Sequence, residues 1–135
     1  MSDAEDQLIS FPFGLAGFED AHQYAIIYLG RGNVACLQSI DRPEASLLIT
    51  TWDDELAGSK PRLSADQRHA LGSTEGELLW LLVLNPYADV EWITANLKAP
   101  IVINMGTRRG VQIFRSEDQI PIRTPWIKQY SHTPD

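Results

Sequence analysis

Gly30-Arg31-Gly32-Asn33-Val34-Ala35 has the G-x-G-x-x-A spacing that can hold a dinucleotide pyrophosphate at a helix N-terminus. That chemistry needs a helix after the glycines. The chain continues instead with VACLQSI, a strand pattern, so the glycines read as a hairpin turn. His22, His69 and His132 are dispersed, with neither an H-E-x-x-H pair nor a His-x3-His pair, and Cys36 has no companion cysteine. No zinc or copper ligand set is therefore written in the chain. A G-x-S-x-G nucleophile elbow is absent as well. Asp53, Asp54 and Glu55 group three carboxylates that suit calcium or acid catalysis, but the calcium-loop spacing is missing and they read as a solvated acidic turn. The expectation is a chain with no catalytic residues, no metal and no cofactor.

Two further residue classes suit recognition. Arg108 and Arg109 stand in a turn between two apolar runs, where they can be solvated charges, touch a protein, or touch phosphates. The turn lacks the interleaved exposed aromatics of a single-strand RNA binder. Of the four tryptophans, Trp80 lies within LLWLLVL and is expected in the core; Trp52, Trp92 and Trp126 stand at strand ends, as core plugs or partner anchors. The net charge is −7 and unevenly placed: residues 1–97 hold five basic against fifteen acidic side chains, residues 98–128 six against two. An acidic body disfavours direct nucleic-acid binding, which draws most of its affinity from phosphate neutralisation, and it suits a basic protein partner.

The elements that must position these groups are short. AIIYL (25–29), VACLQSI (34–40), SLLITTW (46–52), LLWLLVL (78–84), IVIN (101–104) and VQIF (111–114) have strand length and β-branched content. QLISF (7–11) and EWITANL add candidates. Turn-like connections such as GRGN, DRPEA and MGTRRG favour a mainly antiparallel all-β sandwich or barrel over β-α-β units. One short helix is predicted in LSADQRHALG, with Ser64 and Gln67 as a capping box and Gly72 as the stop. With 135 residues the chain fits one domain, residues 1–7 and 128–135 being expected as flexible ends. The N-terminus MSDAEDQ has no signal-peptide pattern and the longest apolar run is far below the roughly 18 residues that span a bilayer, so a cytoplasmic protein without membrane contact is expected.

Two segments are shaped rather than regular. In SFPFGLAGFED, Pro12 fixes φ, Gly14 and Gly17 allow conformations a side chain forbids, and Phe11, Phe13, Leu15 and Phe18 supply apolar contacts. In TANLKAPIVIN, Asn96 suits an Asx-turn and Pro100 extends Ala99, so a tight turn is expected directly ahead of the IVIN strand; Thr94 and Asn104 can do similar local work, beside Leu97.

Together FPFGLAGFED, LLVLNP, ITANLKAPIVINMGTRRGVQ and PIRTPW resemble the flagellar assembly factor FliW family, whose pattern runs F-P-x-G-L-x-G-F early and T-x-N-L-x-A-P-I-V-I-N later. The resemblance covers roughly residues 8–126. It implies a small β-barrel-like fold, no enzymatic activity, and binding to flagellin in the cytoplasm and to the RNA-binding translational repressor CsrA, so that flagellin synthesis is coupled to export. Flagellin termini are helical in that family. This implies a surface groove that receives an amphipathic helix, with Phe13, Leu15, Phe18 and Trp92 as candidate anchors and Arg108 and Arg109 as further contacts.

Two departures from the family pattern stand out. Only MSDAEDQLIS precedes Phe11, so the strand that relatives carry there is expected to be short or missing, leaving an uncovered edge through which the chain could form a homodimer. TWDDELAGSKPRL replaces a segment with an Asp-Pro step and aromatics, so any CsrA contact there is altered. Two other readings are a FliW-like fold with a changed protein partner, and a small-ligand-binding barrel with the Phe-rich loop as lid.

Overall fold

Alternation decides which face of each strand is buried. In Val34–Ser39 the buried positions are Ala35, Leu37 and Ser39, and the side chains between them face outward. The computed structural model describes residues 8–30, 32–72 and 77–129. In chain order the elements are β1 (Leu8–Ser10), β2 (Gln23–Tyr28), β3 (Val34–Ser39), β4 (Ser46–Thr51), α1 (Asp54–Ala57), α2 (Ala65–Leu71), β5 (Leu78–Asn85), β6 (Trp92–Asn104), β7 (Arg109–Gln112) and β8 (Thr124–Lys128).

Strands β1 to β7 close into a barrel. Neighbours pair antiparallel, β5 pairs β6, and the ring shuts where β1 meets β7 in parallel at Ser10 and Arg109. The Ser10 amide donates to the Arg108 carbonyl at 2.9 Å across that seam. The edge expected to lie open ahead of Phe11 is therefore filled by β1, between β2 and β7. The strand that ends the sheet is β8, which pairs with β6 alone among the described strands.

The barrel interior is filled by side chains: Ile9, Phe11, Leu15, Tyr24, Leu37, Ile49, Leu81, Ile101 and Ile103 are all buried there. Two more clusters lie elsewhere. Leu71, Val102, Val111 and Ile113 pack with Leu63, Leu78 and Trp80 beneath α2. Leu82, Leu84, Ala95 and Leu97 pack with Trp52, Ala57, Ile93, Ile120, Trp126 and Ile127, between α1 and the β8 segment. Trp80, expected in the core, is half-buried and packs against the core cluster under α2, outside the barrel interior.

The TANLKAP segment is not a turn ahead of a strand. It is the middle of β6, which runs unbroken for 13 residues. Leu81 pairs with Ile101 but Val83 pairs with Asn96, so Leu82 alone faces the four residues Leu97 to Pro100. The Asx interaction expected at Asn96 exists, its side chain accepting from the Lys98 amide at 2.9 Å, but it shapes a bulge. Pro100 sits inside that bulge, and its carbonyl accepts from the Ile113 amide. The bulge lets one edge of β6 change partner: Trp92 to Ala95 pair with β8, and Ile101 to Asn104 with β7.

α2 has the expected capping box. The Gln67 amide donates to Ser64 Oγ at 3.1 Å, the Ser64 amide donates to Gln67 Oε1 at 2.7 Å, and Gly72 ends the helix at φ +90°. A second helix was not expected. Asp53 caps the single turn of α1 by accepting from the amides of Glu55 and Leu56 at 2.9 and 3.4 Å. Asp54 and Glu55 occupy its first turn, where the helix dipole favours negative charge. The carboxylate cluster is solvent-exposed, as expected, and its turn is the start of a helix.

Candidate functional site

The sequence-selected residues fall into two groups at opposite ends of β6. In the first, the Phe11–Phe18 loop folds back against β7. Phe11 is fully buried and meets Tyr24 edge-to-face, ring centroids 5.4 Å apart. Gly110 faces the Phe11 ring, and no side chain fits between them: a Cβ there would lie 2.5 Å from Phe11 Cε2. Gly14, at φ +69°, lies against the Glu19 backbone, where a Cβ would come within 2.6 Å. The loop is held to the barrel by the Ala16 amide, which donates to Gln112 Oε1 at 2.8 Å, while Gln112 Nε2 donates to the Ala99 carbonyl at 3.1 Å.

This folding sorts the four proposed anchors. Phe13, beside the exposed Pro12, is 66% exposed and available to a partner. Leu15 is 1% exposed and fills the barrel, so it is a core residue and not a surface anchor. Phe13 lies in the turn closed by the Gly14 amide on the Phe11 carbonyl, which leaves it outside, whereas Leu15 and Phe18 form a tight bridge of their own. Phe18 is half-buried against the core. Arg109 is exposed; Arg108 is half-exposed at φ +60° and gives its carbonyl to the barrel seam, so its backbone is structural.

At the far end, Trp92 is half-buried opposite Lys128, whose Nζ lies 5.9 Å from the indole centroid, a cation–π contact. Gln129 closes the same corner, its Nε2 donating to the carbonyls of Pro86, Asp89 and Trp92. Lys128 and Gln129 are thus tied down; the rest of the expected flexible ends, residues 1–7 and 130–135 with His132, lie outside the described residues.

The remaining signature residues hold the frame. Thr94 is buried and its hydroxyl donates to the Asn85 carbonyl at 3.4 Å. Asn104, 1% exposed, donates from Nδ2 to the Leu71 carbonyl at 3.2 Å and accepts at Oδ1 from the amides of Gly106 and Thr107. It therefore joins the C-terminus of α2 to the β6–β7 turn. Trp52 is a strand-end plug: its Nε1 donates to the Gly58 carbonyl at 3.0 Å and its ring meets Trp80 edge-on at 6.0 Å.

Sequence reasoning missed a surface built from several strands. An apolar groove of about 670 Å³ runs over the outer face of the barrel, floored by Val34, Leu48 and Ile93 and walled by Trp126, Ile127 and Leu56. It continues past Leu29 and Leu48 into a second hollow of about 480 Å³ that reaches Cys36, Leu84 and Tyr87. Leu29, Leu56 and Tyr87 are 48, 52 and 93% exposed at its rim. The only signal in the chain was the apolar character of outward positions in β3, β4 and β6, which mean nothing until the strands are placed side by side.

Charge elsewhere is local. On the β3–β4 turn, the Ser39 hydroxyl donates to Asp41 and holds its carboxyl below the usual range. The Arg42 guanidinium bonds both Asp20 and Glu44, and its own pKa is raised, chiefly by Glu44. Among the described residues no three His, Cys, Asp or Glu side chains gather as a metal site, and no helix is long and apolar enough to cross a membrane.

The fold and surface define a class: small closed β-barrels whose interior is packed with side chains and whose open apolar area lies outside. A model of the family described as "FliW protein" matches residues 1–127, so the chain belongs to the FliW family. It is 32% identical to the flagellar assembly factor FliW of Caldanaerobacter subterraneus subsp. tengcongensis, covering 95% of this chain and 90% of that protein. With that of Symbiobacterium thermophilum it shares 29%, over 96% of each. A crystal structure of the flagellar assembly factor FliW superposes with a TM-score of 0.79 at 22% identity, over 93% of this chain and 89% of that one.

Proposed function

We propose that this chain is a non-enzymatic flagellar assembly factor that binds flagellin in the cytoplasm and antagonises a CsrA-type translational repressor. The observation that carries the reading is the family match over residues 1–127, since the relatives are named flagellar assembly factors. The filled barrel supports it: with Ile9, Phe11, Tyr24 and Ile101 fully buried inside, a ligand meets the exterior. Aromatic and arginine side chains make strong protein anchors once desolvated, which suits the exposed Phe13 and Arg109, the half-exposed Phe18 and Arg108, and Trp92 at the other end. The acidic body suits a basic RNA-binding partner, and acts on association rate and selectivity more than on affinity. It disfavours direct nucleic-acid binding.

One observation favours a changed partner as the second reading. The 52–63 segment, which departs from the family pattern, builds α1 at the wall of the groove, so a relative's contact there would not be reproduced. Co-purification with the flagellin and the CsrA of the same organism, side by side, tests both. Capture of flagellin is the expected result; failure to bind either at tens of micromolar would overturn the proposal, and capture of CsrA alone would leave the second reading.

A further inference from the structure

We propose that the loop between β5 and β6, residues 86–91, is a rigid knob that inserts Tyr87 and Val90 into an apolar pocket of a folded partner domain, a pocket rimmed by lysine or arginine. This rests on the reading of the chain as a protein-binding factor and adds a surface that the sequence-selected anchors leave out, save for Trp92 at its foot.

Exposure singles the loop out. Tyr87 and Val90 are 93 and 87% exposed, the highest values of any large apolar side chains among the described residues. Tyr87 stands on the rim of the second hollow, and Val90 lines neither hollow. Side chains that bare are covered on all sides only by a concave surface; a segment lying flat against them would cover one side.

The loop is also fixed. The Tyr87 amide donates to Asn85 Oδ1 at 2.8 Å, and the Glu91 and Trp92 amides donate to Asp89 Oδ1 at 2.7 and 3.1 Å. From β8's end, Gln129 Nε2 reaches the carbonyls of Pro86 and Asp89 at 3.0 Å each and of Trp92 at 3.2 Å. The Gln129 amide donates to the Glu91 carbonyl at 2.7 Å. A loop tied in this way cannot fold its apolar side chains back onto the barrel. It also loses little freedom on docking, so the area it buries shows as affinity.

Charge selects the rim of the receiving pocket. The loop carries Asp89 and Glu91 and no base, and Lys128 lies over the Trp92 indole. A basic rim meets these carboxylates and an acidic rim is repelled. A second copy of this chain is the wrong acceptor: among the described residues Asp53 is the one charged side chain lining either of its apolar hollows.

The test titrates the full folded chain against the purified CsrA-type repressor, the basic candidate partner, and against flagellin of the same organism. Wild type is expected to bind the repressor, and Tyr87→Ser with Val90→Ser to raise that Kd by at least about tenfold. The Tm of the double variant should stay as it was, since both side chains face solvent. Val90→Lys should weaken repressor binding more than Val90→Glu, and serves alone if the double variant does not fold. Gln129→Ala keeps both apolar side chains but frees the loop, and should weaken binding by about threefold or more. Val90→Ser should leave flagellin binding unchanged. An unchanged repressor Kd in the double variant or in Gln129→Ala, or a larger effect of Val90→Glu than of Val90→Lys, would overturn the knob while repressor binding stands. A loss confined to flagellin would overturn it too. If the wild type binds no repressor, that part of the proposed function falls and the knob falls with it.

Discussion

Gly110→Ala tests whether the barrel seam is built on the close approach of one glycine to one ring. The added Cβ would meet Phe11 Cε2 at 2.5 Å, Cζ at 2.7 Å and Cδ2 at 3.1 Å. Carbon pairs rest at about 3.5–4.0 Å, so the ring must move by about 1 Å. It has nowhere open to go: Phe11 is 0% exposed and lies edge-on to Tyr24, itself 0% exposed. Overpacking of this kind costs about 1–3 kcal/mol. For a chain of this size that corresponds to a fall of roughly 4–10 °C in Tm. Phe11→Leu alone leaves a cavity and costs about 1–3 kcal/mol. In the double variant the alanine methyl enters the space the ring vacated, so the penalties should fall short of their sum by about 1 kcal/mol or more. Urea unfolding followed by tryptophan fluorescence measures all four corners, with an unchanged m-value as the check that each unfolds alike. Additivity within about 0.5 kcal/mol, or a neutral Gly110→Ala, would refute the packing argument.

Gly14 and Gly17 both have positive φ, but a Cβ at Gly14 meets the Glu19 backbone and one at Gly17 meets open space; Gly17→Ala should cost about 1–2 kcal/mol and Gly14→Ala clearly more, by chemical denaturation. Asn104→Ala takes the Asn104 side chain from the Gly106 and Thr107 amides and leaves the Leu71 carbonyl with the Thr107 hydroxyl, and should cost about 1–3 kcal/mol in the same denaturation assay. The Tyr24 hydroxyl is buried with no hydrogen-bond partner among the described residues, so Tyr24→Phe should be neutral or stabilising in the same denaturation assay. Burial chiefly, with Asp41 and Asp20 nearby, raises the Tyr24 pKa above 10.0. The native state therefore keeps a proton that the unfolded chain loses, and stability should fall as pH rises through the unfolded tyrosine value. Ultraviolet titration should show one late-titrating tyrosine that Tyr24→Phe removes.

Much of the sheet was legible because its strands obey local rules. VACLQS alternates cleanly, SLLITT is rich in β-branched residues, and Ser64 with Gln67 announces α2 through a capping box that needs nothing beyond itself. The failures have a different origin. Pro100 signals a break only if its missing N–H would have bonded; within a bulge no ladder bond is lost, so β6 runs through it. Asp53-Asp54-Glu55 carries a helix-start signature, but four residues leave no 3.6-residue periodicity to confirm it. Leu15 and Phe13 are alike in type and two apart, yet Phe13 lies in the turn that the Gly14 amide closes on the Phe11 carbonyl and stays outside, while Leu15 pairs with Phe18 and fills the barrel. The family signature survived these errors, since it rests on residue types and not on which way they point.

The groove arises from an arithmetic of faces. LLWLLVL in β5 is apolar on both sides, and a barrel consumes one of them: Leu79, Leu81 and Val83 go inward. Leu78 and Trp80 are then left outside and are covered by α2, while Leu82 and Leu84 are covered where α1 and the β8 segment come together. Both covers hang on β6, whose bulge gives its final residues to β7 and its first residues to β8. Neither reaches fully across β3 and β4, where Val34 and Leu48 remain half-buried with Leu29 and Leu56 exposed at the rim.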